Sequence, residues 1–250
     1  MRQLNRRSVV AAGLGVAGVA VIDSLLGCSR SGSPAAPAAT SAVATSSQDE
    51  PTEGPVTGGW SRVNLGFVSS YILLRGSEVA VVDLGTAGTG GSGIGAALKA
   101  AGVGWGAVRH VILTHKHPDH IGGLASVAPN VNATFYTGKG DLAGEGTAVP
   151  IRPVSEGDEI FGLRIIETPG HTPGHVSVYD PASKVLVAGD ALITTFGLAG
   201  SDPHYTDDAA KAAASVKKLA ALDVAAILPG HGAPLTSGAA AHLRSLAATL

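Results

Sequence analysis

Cysteine is nearly missing from this chain: Cys28 is the only one in 250 residues. No internal disulfide can form, and a cysteine-rich zinc site is excluded. Aromatic residues are scarce too, at 4%, so any core must be filled by Val, Ile, Leu and Ala. Hydrophobic residues total 45%, enough for a sizeable core. Charge is almost balanced, with a formal net of −2 and no basic stripe. That removes the electrostatic footprint of nucleic-acid binding. No H-E-x-x-H occurs, so the helical zinc-protease geometry is not used. Glycine, by contrast, is plentiful at 35 residues and predicts many turns.

The N-terminus does not read as part of a fold. Arg2, Arg6 and Arg7 precede a Gly/Ala-rich apolar run from Ser8 to Gly27. Arg6-Arg7 resembles a bacterial twin-arginine export signal. Leu25-Leu26-Gly27-Cys28 resembles a lipobox, in which the cysteine is lipidated and the signal is cut before it. A plain secretory signal and an uncleaved membrane anchor are the other readings. Asp23 would cost about 2.5–3.5 kcal/mol at the centre of a span, which favours the signal. Residues 1–27 are therefore expected to be an export signal, and the only membrane contact a lipid anchor on Cys28. The protein is expected on the extracytoplasmic face of a bacterial membrane. Residues 28–59 are Ser, Ala, Pro, Thr and Gly with little to bury, and read as a flexible tether. The folded domain is expected over 60–250.

Within that domain, apolar runs mark the strands. Residues 63–75 read as two short strands or one bent one, and 78–83 as a strand ending at Asp83. The Gly-rich stretch 83–93 reads as a loop, a flap or plain turn, and 94–102 as a helix. Residues 107–114 read as a buried strand, with Pro118 at the first position of a short helix after it. A bent strand or strand pair is expected over 159–168, and a hairpin over 176–190 around Asp180-Pro181. A helix over 207–222, a strand over 224–229 and a helix over 238–250 complete the reading.

The nine histidines are not spread evenly. His115, His117 and His120 fall with Asp119 inside one short stretch, T-H-K-H-P-D-H-I-G, at the end of a strand. His171 and His175 follow the next long strand in T-P-G-H-T-P-G-H; Asp190 follows another in G-D, and His231 another in P-G-H-G. Strand ends of a layered α/β fold lie along one edge, so these side chains can meet. His115, His117 and His171 supply three neutral imidazoles, the donor set of a catalytic zinc with one open position. Asp119, His120 and His231 make a second set, and the two oxygens of Asp190 can bridge. Two divalent ions held this way would share and deprotonate a water near neutral pH. Imidazole and carboxylate suit zinc, manganese or iron.

The motif H-x-H-x-D-H at 115–120, followed in order by His171, Asp190 and His231, resembles the metallo-β-lactamase fold hydrolases over essentially all of 60–250. The resemblance implies an α/β class, four-layer αββα sandwich with a dinuclear site at one edge of two sheets. It implies that His115, His117 and His171 hold the first ion, that Asp119, His120 and His231 hold the second, and that Asp190 bridges. It also implies that Asp83 braces the histidine loop from behind. His175 is read as a group that hydrogen-bonds to the site or as a cap on the next strand. The histidine run and the Asp bridge look most like the hydroxyacylglutathione hydrolase and lactonase side of the family. True metallo-β-lactamases place cysteine or serine where Asp190 stands. Oxygen-reducing di-iron members replace His117 with a glutamate-type ligand, whereas iron-dependent sulfur dioxygenases keep the pattern.

The expected function is therefore a metal-dependent hydrolase, its dinuclear-bound hydroxide cleaving an ester, thioester or lactone of a small-molecule acyl substrate. Asp119 would orient the nucleophile and carry its proton to the leaving group. Cleavage of β-lactams, sulfur dioxygenation and a non-catalytic metal-binding lipoprotein are the alternatives. His110 reads as packed or at an edge, and His204 and His242 as surface. The Gly-rich loop after Asp83 and the stretches 132–158 and 194–206, with Phe196, His204 and Tyr205, are expected to border the cleft.

Overall fold

The computed structural model describes residues 54–142 and 149–250; the export signal and most of the expected tether lie outside the described residues. The first sheet has seven strands in sequence order. They are β1 (Gly54–Thr57), β2 (Trp60–Asn64), β3 (Ser69–Arg75), β4 (Glu78–Val82), β5 (Val108–Leu113), β6 (Thr134–Gly138) and β7 (Ile151–Val154). Strands β1 to β4 pair antiparallel, and β4 to β7 parallel. The second sheet joins β8 (Glu159–Ile160), β9 (Leu163–Glu167), β10 (Val176–Asp180), β11 (Val185–Gly189) and β14 (Ala226–Pro229) in the order β14-β11-β10-β9-β8. A small ribbon pairs β12 (Leu192–Ile193) with β13 (Ala199–Gly200). The helices are α1 (Gly90–Ala100), α2 (Pro118–Ile121), α3 (Leu124–Val127), α4 (Ala209–Ala220) and α5 (Ala239–Ala247).

Strand alternation builds the layers. In β4, Ala80 and Val82 enter the core between the sheets, while Val79 and Val81 face the other way, onto Ile94 and Leu98 of α1. In β11, Val185 and Val187 join the same inter-sheet core, while Leu186 and Ala188 pack on Val216, Leu219 and Leu243 of α4 and α5. Both faces of each sheet are covered, so these strands read as continuous apolar runs rather than alternating ones. The order is helix, sheet, sheet, helix: the expected αββα sandwich. A buried carboxylate ties the sheets together. Asp180 accepts hydrogen bonds from Trp60 Nε1 (3.2 Å) and Arg75 Nη2 (2.7 Å) of the first sheet.

The topology also places the chemistry. Strands β4 and β5 run parallel, and β9, β11 and β14 share one direction in the other sheet. Their C-terminal ends line one rim, and the Asp83, 115–120, 171, 190 and 231 positions all follow such ends.

Three expectations need correction. The tether does not extend to residue 59: β1 pairs with β2 across Gly58-Gly59, and Val56 packs against the inter-sheet core. The Gly-rich stretch is not all loop, because α1 begins at Gly90. A methyl group at Gly90 would overlap the Leu84 carbonyl and sit 2.9 Å from Gly123, so this glycine permits close packing, not flap motion. The stretch 132–158 contributes β6 and β7 to the far side of the first sheet, and none of its described residues lines the cleft. Pro153 is tolerated because β7 is an edge strand.

Candidate metal centre

Five histidines and two aspartates meet at the rim in three overlapping sets: His115, His117 and His171; His115, His120 and Asp190; Asp119, His120 and His231. In the first set, His117 Nδ1 lies 3.0 Å from His115 Nε2 and 2.9 Å from His171 Nε2. A tetrahedral ion with metal–nitrogen distances of about 2.0–2.1 Å spaces its nitrogens about 3.3 Å apart, so the three donors are slightly contracted around one centre. In the set of Asp119, His120 and His231, His231 Nε2 lies 3.4 Å from His120 Nε2 and 3.3 Å from Asp119 Oδ2. Asp190 sits between the sets: its Oδ2 is 3.2 Å from His231 Nε2 and 3.4 Å from His171 Nε2. Its Oδ1 is 3.3 Å from His120 Nε2, yet is buried with no hydrogen-bond partner. A buried carboxylate oxygen without a hydrogen-bond partner, ringed by imidazole nitrogens, is a donor set that fits a cation.

The outward nitrogens explain why the inward ones are free. His115 Nδ1 donates to Thr114 Oγ1 (3.0 Å), which donates to Asp83 Oδ2 (2.8 Å). His120 Nδ1 donates to the same Oδ2 (2.8 Å). His171 Nδ1 donates to Ser201 Oγ (2.8 Å), and His231 Nδ1 to the Phe67 carbonyl (2.8 Å). Each partner takes the Nδ1 proton, so Nε2 is the nitrogen that faces the site. Asp83 also accepts the Thr114 N–H at 2.7 Å, from a left-handed backbone with φ of 60°. Among residues with a Cβ, Asp and Asn tolerate that conformation best.

His175 takes the supporting role. Its Nε2 accepts the Asp190 N–H (3.0 Å), so its Nδ1 carries the proton and donates to Thr168 Oγ1 (2.8 Å). Thr168 continues to Ser177 Oγ (3.0 Å), which donates to the Ala188 carbonyl. His110 packs against Phe161 and Tyr136, as a core-edge residue does. Of the three residues expected beside the cleft, only Tyr205 lines it. His204 turns to Asp202, and Phe196 is fully exposed.

Several supports carried no sequence signal. Buried Asp141, in a plain G-K-G-D, accepts from Lys116 N (3.1 Å), Thr172 Oγ1 (2.5 Å) and Gly174 N (2.8 Å). It thereby ties the His115–His117 loop to the His171 loop. Arg62 Nη2 donates to the Gly232 carbonyl (2.9 Å) and Tyr71 to the Pro229 carbonyl (2.8 Å), holding the His231 loop from the first sheet. Gly230 in that loop has no room for a side chain. A methyl there would overlap Asp190 Oδ1 and stand 2.7 Å from His120 Cε1.

The electrostatics divide the histidines. Burial pushes His171 down to about 4 and His175 down to about 3, with neighbouring imidazoles adding to it. His115 is lowered well below the usual value, by burial first and the His120 charge second. Burial opposes protonation of His231 as well, but Asp119 and Asp190 outweigh it and push it up to about 10. His120 is raised by the Asp190 and Asp83 charges against its burial. Asp190 and Asp119 stay below the usual carboxylate range: burial raises both, and the facing histidines prevail.

A stability prediction follows for the metal-free protein. A buried histidine with a depressed pKa binds protons in the unfolded chain but not the folded one. Stability is therefore lost as pH falls from about 6.5 towards 3, at about 1.4 kcal/mol per pH unit for each such histidine. His120 and His231, raised in the folded protein, are protonated in both states at the acid end of that window and add no slope there. His175→Gln retains an acceptor for Asp190 N–H and a donor for Thr168. It should flatten the slope by about one proton, measured by urea unfolding between pH 4.5 and 6.5. An unchanged slope would contradict a neutral buried His175.

A sandwich of this order, with three overlapping His/Asp sets at its rim, defines a scaffold suited to a pair of metal ions. The chain belongs to the Metallo-beta-lactamase superfamily, whose family model matches residues 63–231. It is similar to the probable metallo-hydrolase YflN of Bacillus subtilis (strain 168), 29% identical over 201 residues, covering 62% of this chain and 76% of that protein. It is similar to the hydroxyacylglutathione hydrolase of Dechloromonas aromatica (strain RCB), 32% identical over 154 residues, covering 61% of this chain. The match spans about half of that enzyme, 52%. Among solved structures it resembles TTHA1623 in a di-iron-bound form, with a TM-score of 0.57, 28% identity, and coverage of 75% of this chain and 96% of the other.

Proposed function

We propose that the protein is a hydrolase of esters, thioesters or lactones that works with two divalent ions. The observation that carries this reading is Asp190, a buried carboxylate with one orphaned oxygen, set between two histidine sets. In this reading His115, His117 and His171 would hold one ion, Asp119, His120 and His231 would hold the other, and Asp190 would serve both. Such ions, zinc, manganese or iron, supply Lewis acidity and bring the pKa of a water near neutrality. The chain supplies the rest. Asp119 is half-buried, lines the cleft and is ionised beside His231 and His120. Its carboxylate can orient the attacking water, take its proton and return it to the leaving group. The supporting residues hold the imidazoles, so little reorganisation is needed during reaction.

Exhaustive chelation should abolish hydrolysis of a 4-nitrophenyl ester, and one of the three ions should restore it. Because His120 and His231 hold protons in the metal-free site, reloading at pH 7.5 should release about two protons per protein from them, with up to about one more from the bound water. Calorimetry in buffers of different ionisation enthalpy reads that number. Full activity in metal-free protein would defeat the proposal.

We further infer export and a lipid anchor at Cys28, supported by the 1–28 sequence alone. Among the described residues no helix is long and apolar enough to cross a membrane. Cys28→Ala should move the protein from the membrane fraction to the soluble one; retention in membranes would favour an uncleaved anchor.

A further inference from the structure

The cleft over the two ligand sets has a volume of about 770 Å³. Its floor is polar, and its walls are largely apolar. Phe67, Ala87, Pro118, Ile193 and Tyr205 supply apolar surface. Phe67 and Tyr205 are each 67% exposed, unusual for aromatic side chains in a chain with so few. The Phe67 ring lies parallel to His231 at 6.0 Å between centroids, so it borders the reacting end directly.

Charge is distributed more unevenly still. Among the described residues, no lysine or arginine lines the cleft. The one charged lining group away from the floor is Asp202, an acid. Its Oδ1 accepts from the His204 backbone N–H (2.9 Å) and lies 3.1 Å from His204 Nδ1, so the carboxylate is fixed at the start of a short turn. A substrate carbonyl can find positive charge at the floor once ions are bound. A second carboxylate, further along the same substrate, would meet aromatic rings and Asp202. Stripping its water without a partner is costly, and the acid adds repulsion.

We propose that the cleft selects uncharged esters or lactones with an apolar substituent, Phe67 and Tyr205 gripping the substituent and Asp202 rejecting anions. The inference rests on the hydrolase reading above and narrows it: anionic thioesters and carboxylate-bearing lactams would be poor substrates.

The test compares two esters of equal chain length, 4-nitrophenyl hexanoate and the mono-4-nitrophenyl ester of adipic acid, on metal-loaded protein. The hexanoate should be preferred by at least about 100-fold in kcat/KM. Asp202→Asn keeps the turn's acceptor and removes the charge, and Asp202→Lys reverses it. The ratio of adipate to hexanoate turnover should rise in that order, by about 10-fold or more for the lysine. Phe67→Ala should weaken hexanoate about 10-fold, mainly through KM. Binding gives a readout free of turnover: N-propyl hexanamide should bind more tightly than adipic acid monopropylamide by calorimetry. Equal use of both esters, or equal binding of both amides, would overturn the inference. If neither ester reacts in fully loaded protein, the hydrolase reading fails, and the amide pair still decides whether the cleft discriminates by charge.

Discussion

Asp190→Asn is expected to lower ester hydrolysis by at least about 100-fold and to reduce bound metal from two ions to one or none. The substitution keeps shape and volume, so packing is not the cause. What changes is charge. The native carboxylate faces His120, His171 and His231 at 3.2–3.4 Å, with Oδ1 unsatisfied and buried. An amide turns one acceptor into a donor and removes the only carboxylate that both sets share. Loss of groups that merely orient a ligand costs 10–100-fold, so losing the shared ligand should cost at least the upper end. The protons released on metal loading should also fall, because His120 and His231 would no longer be held charged by Asp190. Elemental analysis and steady-state rates read the outcome together. A variant retaining two ions and near-native turnover would exclude Asp190 as the bridge.

Asp83→Ala should be the most damaging change to the folded protein outside the ligands, at about 3–5 kcal/mol. The carboxylate accepts three hydrogen bonds, from Thr114 N, Thr114 Oγ1 and His120 Nδ1, all buried. Alanine strands all three donors and leaves a residue with a Cβ at φ of 60°, without the local bonding that lets aspartate sit there. The effect should reach the site, since His115 and His120 both hang on this carboxylate. Metal affinity should fall about 10–100-fold. Asp83→Asn, which keeps shape and backbone preference, should lie between. Urea unfolding of the metal-free proteins separates the stability term from the metal term. A loss below about 1 kcal/mol for Asp83→Ala would contradict the bracing role.

What could be read from the sequence divides along physical lines. The His/Asp cluster was legible because imidazole is rare and has little reason to gather at a strand end. Strands β4, β5, β11 and β14 were legible because Val, Ile, Leu and Ala dominate both of their faces. Strands β6 and β7 were not, since T-F-Y-T-G and I-R-P-V are short, and one of them contains proline. Asp141 was invisible because G-K-G-D reads as a turn, and its three partners come from residues 116, 172 and 174. The Ser201 contact to His171 and the Arg62 contact to Gly232 likewise depend on long-range geometry. Gly90 illustrates a subtler limit. Glycine suggests freedom in a sequence, whereas here it allows a helix to approach Leu84 and Gly123 more closely than any side chain would permit.

The most direct test is anomalous diffraction from crystals of metal-loaded protein, recorded across the absorption edge of the ion found by elemental analysis. Two peaks should appear at the rim, one among His115, His117 and His171, the other among Asp119, His120 and His231, with Asp190 reaching both. A single peak elsewhere, or density showing these side chains turned to solvent with nothing bound among them, would contradict the account.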